Sequence, residues 1–214
     1  MKKLLAMALA ALLCPLAGAW QVEGGVGYSH TTPQPNGTWY QEGFPYKLDL
    51  NKASWYVGVK DKIDEDKVLH INYVSFGIIH ADAIATTDDN YNATTHSCNG
   101  KCVAQSHFVG SGRSDGLKIA VEKLNGNWGF IGGGFLFKPR WHTTVYDWTL
   151  AYDMPPRTIE HSIKQNWTLR PMVGVAYHVD SWEVKLEHYF NKPYDSTNTG
   201  LTHGTTMLSL GYSF

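Results

Sequence analysis

The sequence predicts an all-β protein: an eight-stranded antiparallel up-and-down transmembrane β-barrel with long extracellular loops, spanning residues 20–214. Three observations lead there. Apolar and polar residues alternate at period two from end to end, with no sustained helical period. The connections between alternating runs are short and long in turn, as in a barrel whose strands go up and down. Tryptophans stand at the ends of the runs, where an interfacial aromatic girdle would place them.

Residues 1–19 read as an export signal. Lys2 and Lys3 precede an apolar run, and Ala17 and Ala19 are the small residues that predict cleavage after Ala19. Leu13 before Cys14 argues against a lipid-attachment site. The formal net charge of −1 gives no basic stripe for a nucleic-acid partner. Beyond the signal, no run approaches the roughly 18 apolar residues a membrane helix needs, which leaves an alternating barrel open.

The candidate strands follow in order. The first, 20–31, sets Val22, Val26 and Tyr28 on one face against Glu23 on the other, and a Pro-bearing connection (32–52) follows. The second, 53–60, sets Trp55, Val57 and Val59 against Lys60, and a short charged turn (61–67) leads to the third, 68–79. A very long polar connection (80–115) precedes the fourth, 116–124, where Leu117, Ile119 and Val121 oppose Lys118 and Glu122. The Asn125-Gly126 turn opens the fifth, 127–138, in which Gly132, Gly133 and Gly134 interrupt the pattern and predict a bulge or kink. The facing of the third and fifth strands is left open.

Connection 139–165, with Pro155 and Pro156, leads to the sixth strand, 166–178, where Leu169, Val173, Val175 and Tyr177 oppose Arg170. A turn at Asp180 gives the seventh, 181–190, with Trp182, Val184 and Leu186 against Glu183, Lys185 and Glu187. After 191–204 the eighth, 205–214, carries Leu208, Leu210, Tyr212 and Phe214 on the apolar face.

Which face points inward is decided by the tryptophans. Trp20, Trp128 and Trp182 open upward strands, Trp55 and Trp167 open downward ones, and the two groups define two levels about one bilayer apart. The apolar face therefore meets lipid. An eight-stranded barrel is only wide enough to be filled by side chains. Its four acids (Glu23, Glu122, Glu183, Glu187) and four bases (Lys60, Lys118, Arg170, Lys185) predict an ion-paired plug, joined by His70 and His178, in place of a water-filled pore.

Cys98 and Cys102 bracket Asn99-Gly100 and predict a disulfide closing a small exported loop. The alternative, a metal site with His96 and His107, matches no zinc spacing, so neither metal nor cofactor is expected. GFIGGGF (129–135) is followed by no helix and is not a phosphate loop. The triplets at Asn36, Asn92 and Asn166 carry no weight in a bacterial protein.

The closing run LSLGYSF resembles the last strand of bacterial outer-membrane barrels. The resemblance implies that Leu208, Leu210, Tyr212 and Phe214 are read by the barrel-assembly machinery and that the chain resides in the outer membrane. Within EHYFN (187–191), counting by twos from Trp182 puts His188 on the lipid-facing side near the outer rim. His188, Asn191, Asn198 and Gly200 resemble the last hairpin of the lipid A 3-O-deacylases, eight-stranded barrels whose site faces lipid. The likeness covers that hairpin and the terminal strand.

Two catalytic positions of that family are vacant: its nucleophilic serine falls on Phe190 and its acid on Thr202. A benzyl group has no oxygen to attack an ester, and a threonine cannot charge-stabilise an imidazole as a carboxylate does. Glu187 points into the lumen, out of reach. Thr206, the nearest outward hydroxyl, and Ser196, in the last connection, are the substitutes that would rescue hydrolysis. The preferred expectation is a non-catalytic barrel that displays its outer connections, with His188, Phe190 and Asn191 contacting lipid or lipopolysaccharide at headgroup level. A deacylase with another nucleophile and a small porin are the alternatives.

Overall fold

The computed structural model describes residues 20–33, 47–49, 51–89, 102–138, 140–149, 157–164, 166–190 and 202–214. The expected signal segment (1–19), Cys98, His96, Asn191, Ser196, Asn198 and Gly200 lie outside them. Cys102 and Thr202 are described only as strand positions, so the disulfide is an expectation outside the described residues.

Eleven strands form one antiparallel sheet: β1 (Gln21–Pro33), β2 (Lys47–Asp49), β3 (Asn51–Asp64), β4 (Lys67–Asp89), β5 (Cys102–Asn125), β6 (Trp128–Phe137), β7 (Arg140–Thr149), β8 (Arg157–Lys164), β9 (Thr168–Val179), β10 (Trp182–Phe190) and β11 (Thr202–Ser213). Eight of them close a ring in the order β1, β11, β10, β9, β6, β5, β4, β3 and back to β1, so the sheet has no free edge in the barrel wall. The remaining three continue their neighbours. β5 pairs with β6 up to Gly116↔Phe137 and with β7 from Arg113↔Arg140, so β6 and β7 are one strand interrupted where the sequence places Pro139, which has no N–H for a ladder. β8 and β9, and β2 and β3, extend one another in the same way.

Connections 80–115 and 139–165 therefore differ from the irregular loops expected of them. β4 and β5 stay paired from Ile78↔Arg113 to Asp89↔Cys102, and β7 pairs with β8 beyond the barrel. The reason is physical. Segments such as RWHTTVYDWT and RTIEHSIK are rich in β-formers, yet the first puts apolar and polar residues on both faces and the second offers only Ile159 and Ile163, so no sustained period-two hydrophobic signal marks them. The result is a tall wall of hairpins on one side of the barrel.

The facing of the third and fifth expected strands is now fixed. In β4, His70, Asn72, Val74 and Phe76 point inward, and a bulge between Ser75 and Ile78 then shifts the alternation by one residue. Gly77 takes φ 78° there. In β6, Ile131, Phe135 and Phe137 point inward while Trp128 and Phe130 point out. The expected bulge at Gly132, Gly133 and Gly134 is absent: these residues pair in unbroken register with β5 and β9. Gly133 is instead an inward position with no room for a side chain, because a Cβ there would collide with Ala120. A left-handed, non-glycine residue at 77 would be strained, and its Cβ would lie 2.8 Å from the Ala53 carbonyl oxygen. Gly77→Val should cost about 1–3 kcal/mol of stability, read as a lowered urea midpoint for folding into vesicles.

Candidate functional site

The interior is built from the inward positions of all eight barrel strands and has two tiers. The lower tier, toward the short turns, is ionic. Glu23, Glu122, Glu183 and Glu187 are buried, as are Lys118, Lys185 and His70. Glu23 accepts hydrogen bonds from His70 Nδ1 at 2.7 Å and Lys185 Nζ at 2.9 Å. Glu122 accepts from His70 Nε2 at 2.9 Å and His178 Nε2 at 2.6 Å. His70 thus bridges the two carboxylates, one ring nitrogen toward each.

Glu183 receives Lys185 Nζ at 2.5 Å, the Tyr56 hydroxyl at 2.7 Å and Lys60 Nζ at 3.4 Å. Glu187 accepts from Lys118 Nζ at 2.8 Å and from the Tyr189 hydroxyl at 2.9 Å. Both oxygens of every one of these carboxylates are thus engaged, the condition under which charge is tolerated away from water. The Tyr56 ring lies under two ammonium groups, 4.7 Å from Lys185 and 5.5 Å from Lys118. Space for that ring comes from Gly25 and Gly211 in register on β1 and β11, where any Cβ would collide with it.

The upper tier is apolar and aromatic. Phe76 meets Phe135 at 5.4 Å and Tyr189 at 4.8 Å, Phe135 meets Tyr189 at 5.0 Å, and Phe137 stacks on Phe135 at 5.1 Å. Val74, Met172 and Met207 complete this buried layer. Every acid and base assigned to the inner face by alternation is there, Arg170 and Lys60 being partly exposed. The aromatic donors Tyr56 and Tyr189 were missed. Tyr189 was legible, since it stands two residues after inward Glu187 and must share its face.

The outer surface inverts this distribution. Trp20, Trp55, Trp128, Trp167 and Trp182 are all exposed, as are Leu117, Ile119, Val121, Leu169, Val184, Leu186, Leu208, Leu210 and Phe214. In the lower belt Trp128 packs edge-on against Tyr177, and Trp182 against Tyr212. Charges inside and a continuous apolar band outside are the dressing of a transmembrane barrel.

His188 faces outward, as its alternation requires. Its Nδ1 shares a 2.8 Å hydrogen bond with Thr206 Oγ1, its cross-strand partner. The imidazole lies over Gly204, where a Cβ would come within 2.8 Å of the ring, and it meets the exposed Phe190 edge-on at 4.6 Å. Glu187 is turned into the lumen and held there by Lys118 and Tyr189. The structure therefore brings His188, Phe190 and Thr206 together. Beside them the row continues along the outer face through His30, in register with Thr206, to Asn51, whose Oδ1 is 2.7 Å from His30 Nδ1. Among the described residues no group of three or more His, Cys, Asp or Glu is arranged to hold a metal.

No protein-family model matches the chain, and no curated protein matches it. Solved structures do. Ail, the attachment invasion locus protein of Yersinia pestis, aligns at 13% identity and TM-score 0.43 over 92% of this chain and 99% of its own. The translocator domain of the autotransporter NalP from Neisseria meningitidis aligns at 11% identity and TM-score 0.32 over 97% and 93%. A mutant of Rh. blastica porin aligns at 8% identity and TM-score 0.24 over 92% and 99%. The architecture of this chain stands on its own strand pairings, which define a closed, filled, eight-stranded β-barrel.

Proposed function

We propose that this chain is an integral outer-membrane barrel, sealed to ions and without hydrolytic activity, that holds a wall of hairpins above the outer leaflet. The observation that carries the reading is the inverted dressing: an apolar, tryptophan-flanked exterior around an interior whose carboxylates are all paired. Phe190 supports the non-catalytic part. It stands where the resembled deacylases place their serine, and its ring occupies the space beside the imidazole. The upper ends of β4, β5, β7 and β8, well paired beyond the barrel, are the parts available for surface contacts.

A second reading, a lipid A 3-O-deacylase using Thr206 as nucleophile, is favoured by one contact, the 2.8 Å hydrogen bond to His188. It is disfavoured by the ring atom involved and by the missing acid. Nδ1 is taken up by the hydroxyl, and the only nearby carboxylate on that strand, Glu187, is paired inside the barrel. Mass spectra of lipid A from cells with and without the gene decide between the two readings. Identical acylation is expected, and loss of a 3-linked acyl chain would install the enzyme. For the membrane reading, the folded protein should run faster on a gel unboiled than boiled, and a detergent-free soluble chain without that shift would end it.

A further inference from the structure

The outer face carries one row of like charges at a place where a barrel wall should be neutral. Along the wall, β5, β7 and β8 align Arg113 with Arg140, and Arg140 with Lys164. Arg113 and Arg140 are both exposed, on the same face as Leu117, Ile119 and Val121 below them on β5. Like charges directly opposite one another across an antiparallel pair repel, so the row is unfavourable unless an anion joins it.

The protein supplies only part of that anion. Asp115, one row lower, contacts Arg113 through Nε and is itself held by the Ser75 hydroxyl at 2.8 Å. This holds the guanidinium at its Nε edge, while the Arg113 side chain stays half-exposed. The next carboxylates on this face, Asp82 and Glu160, stand two rows higher, and Asp82 is already bonded to His107 at 3.1 Å. Lumenal carboxylates point the other way and are saturated.

The row also lies at the membrane boundary. Trp55 shares a register row with Ser75, and Ser75 with Asp115, directly below Arg113. Trp167, 62% exposed, precedes β9 on the strand that continues β8. Tryptophans at this level mark the interface between acyl chains and headgroups. An anion that arrives here with its own acyl chains would cover the apolar residues beneath and place its phosphate against the arginines.

We propose that Arg113 and Arg140 form a site for the phosphate of an anionic lipid headgroup in the outer leaflet. Planar guanidinium forks match phosphate in a two-pronged way that a single ammonium does not. The site rests on the lipid-facing reading proposed above, and its arginines lie two and three strands around the wall from the strand that carries His188.

The test uses the full folded chain in zwitterionic micelles, titrated with diphosphoryl lipid A and with the same lipid after dephosphorylation. Wild type should prefer the phosphorylated form. The R113Q/R140Q variant should bind it about tenfold more weakly, while binding of the dephosphorylated form stays unchanged. The R113K/R140K variant should recover part of the loss. Equal binding by wild type and R113Q/R140Q would overturn the site, as would full displacement of the lipid by an equal concentration of inorganic phosphate, which would make the ligand a free anion. Gel mobility on the same samples separates the two levels: an unshifted wild type removes the membrane reading, whereas a shifted wild type indifferent to phosphate removes only this site.

Discussion

Lys185→Met should lower the stability of the folded barrel by about 3–5 kcal/mol. Lys185 is fully buried and lies between Glu23 at 2.9 Å and Glu183 at 2.5 Å, with the Tyr56 ring 4.7 Å beneath it. Methionine fills much of the same volume, so the loss isolates charge from packing. Without the ammonium, Glu23 keeps only His70 as a partner, and Glu183 keeps Tyr56 and the longer Lys60 contact. A buried carboxylate stripped of a cation costs far more than the pair contributed when intact. The measurement is the urea midpoint for folding into phospholipid vesicles. The control is Glu23→Gln combined with Lys185→Met, which removes both charges together. It should be less damaging than the sum of its parts, because the two groups are in direct contact. Strict additivity would show that the network is a set of independent contacts.

This centre illustrates what the sequence exposes and what it hides. Inward placement of Glu183, Lys185 and Glu187 follows from counting by twos along SWEVKLEHYF, and the structure keeps that count without a break from Trp182 to Phe190. The ion-paired plug was legible for the same reason: acids and bases in equal number on one face of a small barrel must find one another. Which acid meets which base was not legible. Glu23 and Lys185 are 162 positions apart, and their meeting depends on the closure of β1 on β11.

Alternation failed where the backbone shifts phase or where no apolar face exists. In β4 the extra residue at Gly77 moves Ile78 outward while Tyr73 is also outward, so no single parity describes YVSFGII. In β7 apolar residues fall on both faces and in β8 there are only two, so no sustained hydrophobic period marks either as a strand. The outward facing of His188 and its pairing with Thr206 were legible, because both positions are fixed by one hairpin register. The arginine row escaped notice because Arg113 and Arg140 lie in segments that carried no strand signal. Their juxtaposition exists only once β5 and β7 are paired.

Phe135→Ala is expected to cost about 3–5 kcal/mol and yet to leave the barrel closed to ions. Phe135 is buried at the centre of the upper tier, in contact with Phe76, Phe137 and Tyr189. Truncation removes most of a ring from a layer that rigid strands prevent from collapsing, so the cavity term adds to the lost transfer energy. Adding Phe76→Ala should cost less than a second full increment, because the two rings touch and share the resulting space. Neither change removes the seal. Below the aromatic layer, Lys118, Lys185, Glu187, Glu23 and His70 still cross the lumen from strand to strand with their contacts intact. Planar-bilayer recordings should therefore show no defined conductance step for wild type, Phe135→Ala or the Phe76/Phe135 pair, even as the urea midpoint falls. A discrete step that appears with the pair would place the barrier to ions in the aromatic tier alone. A step in the wild type would make the chain a small porin, with the ionic tier as its selectivity region instead of its plug.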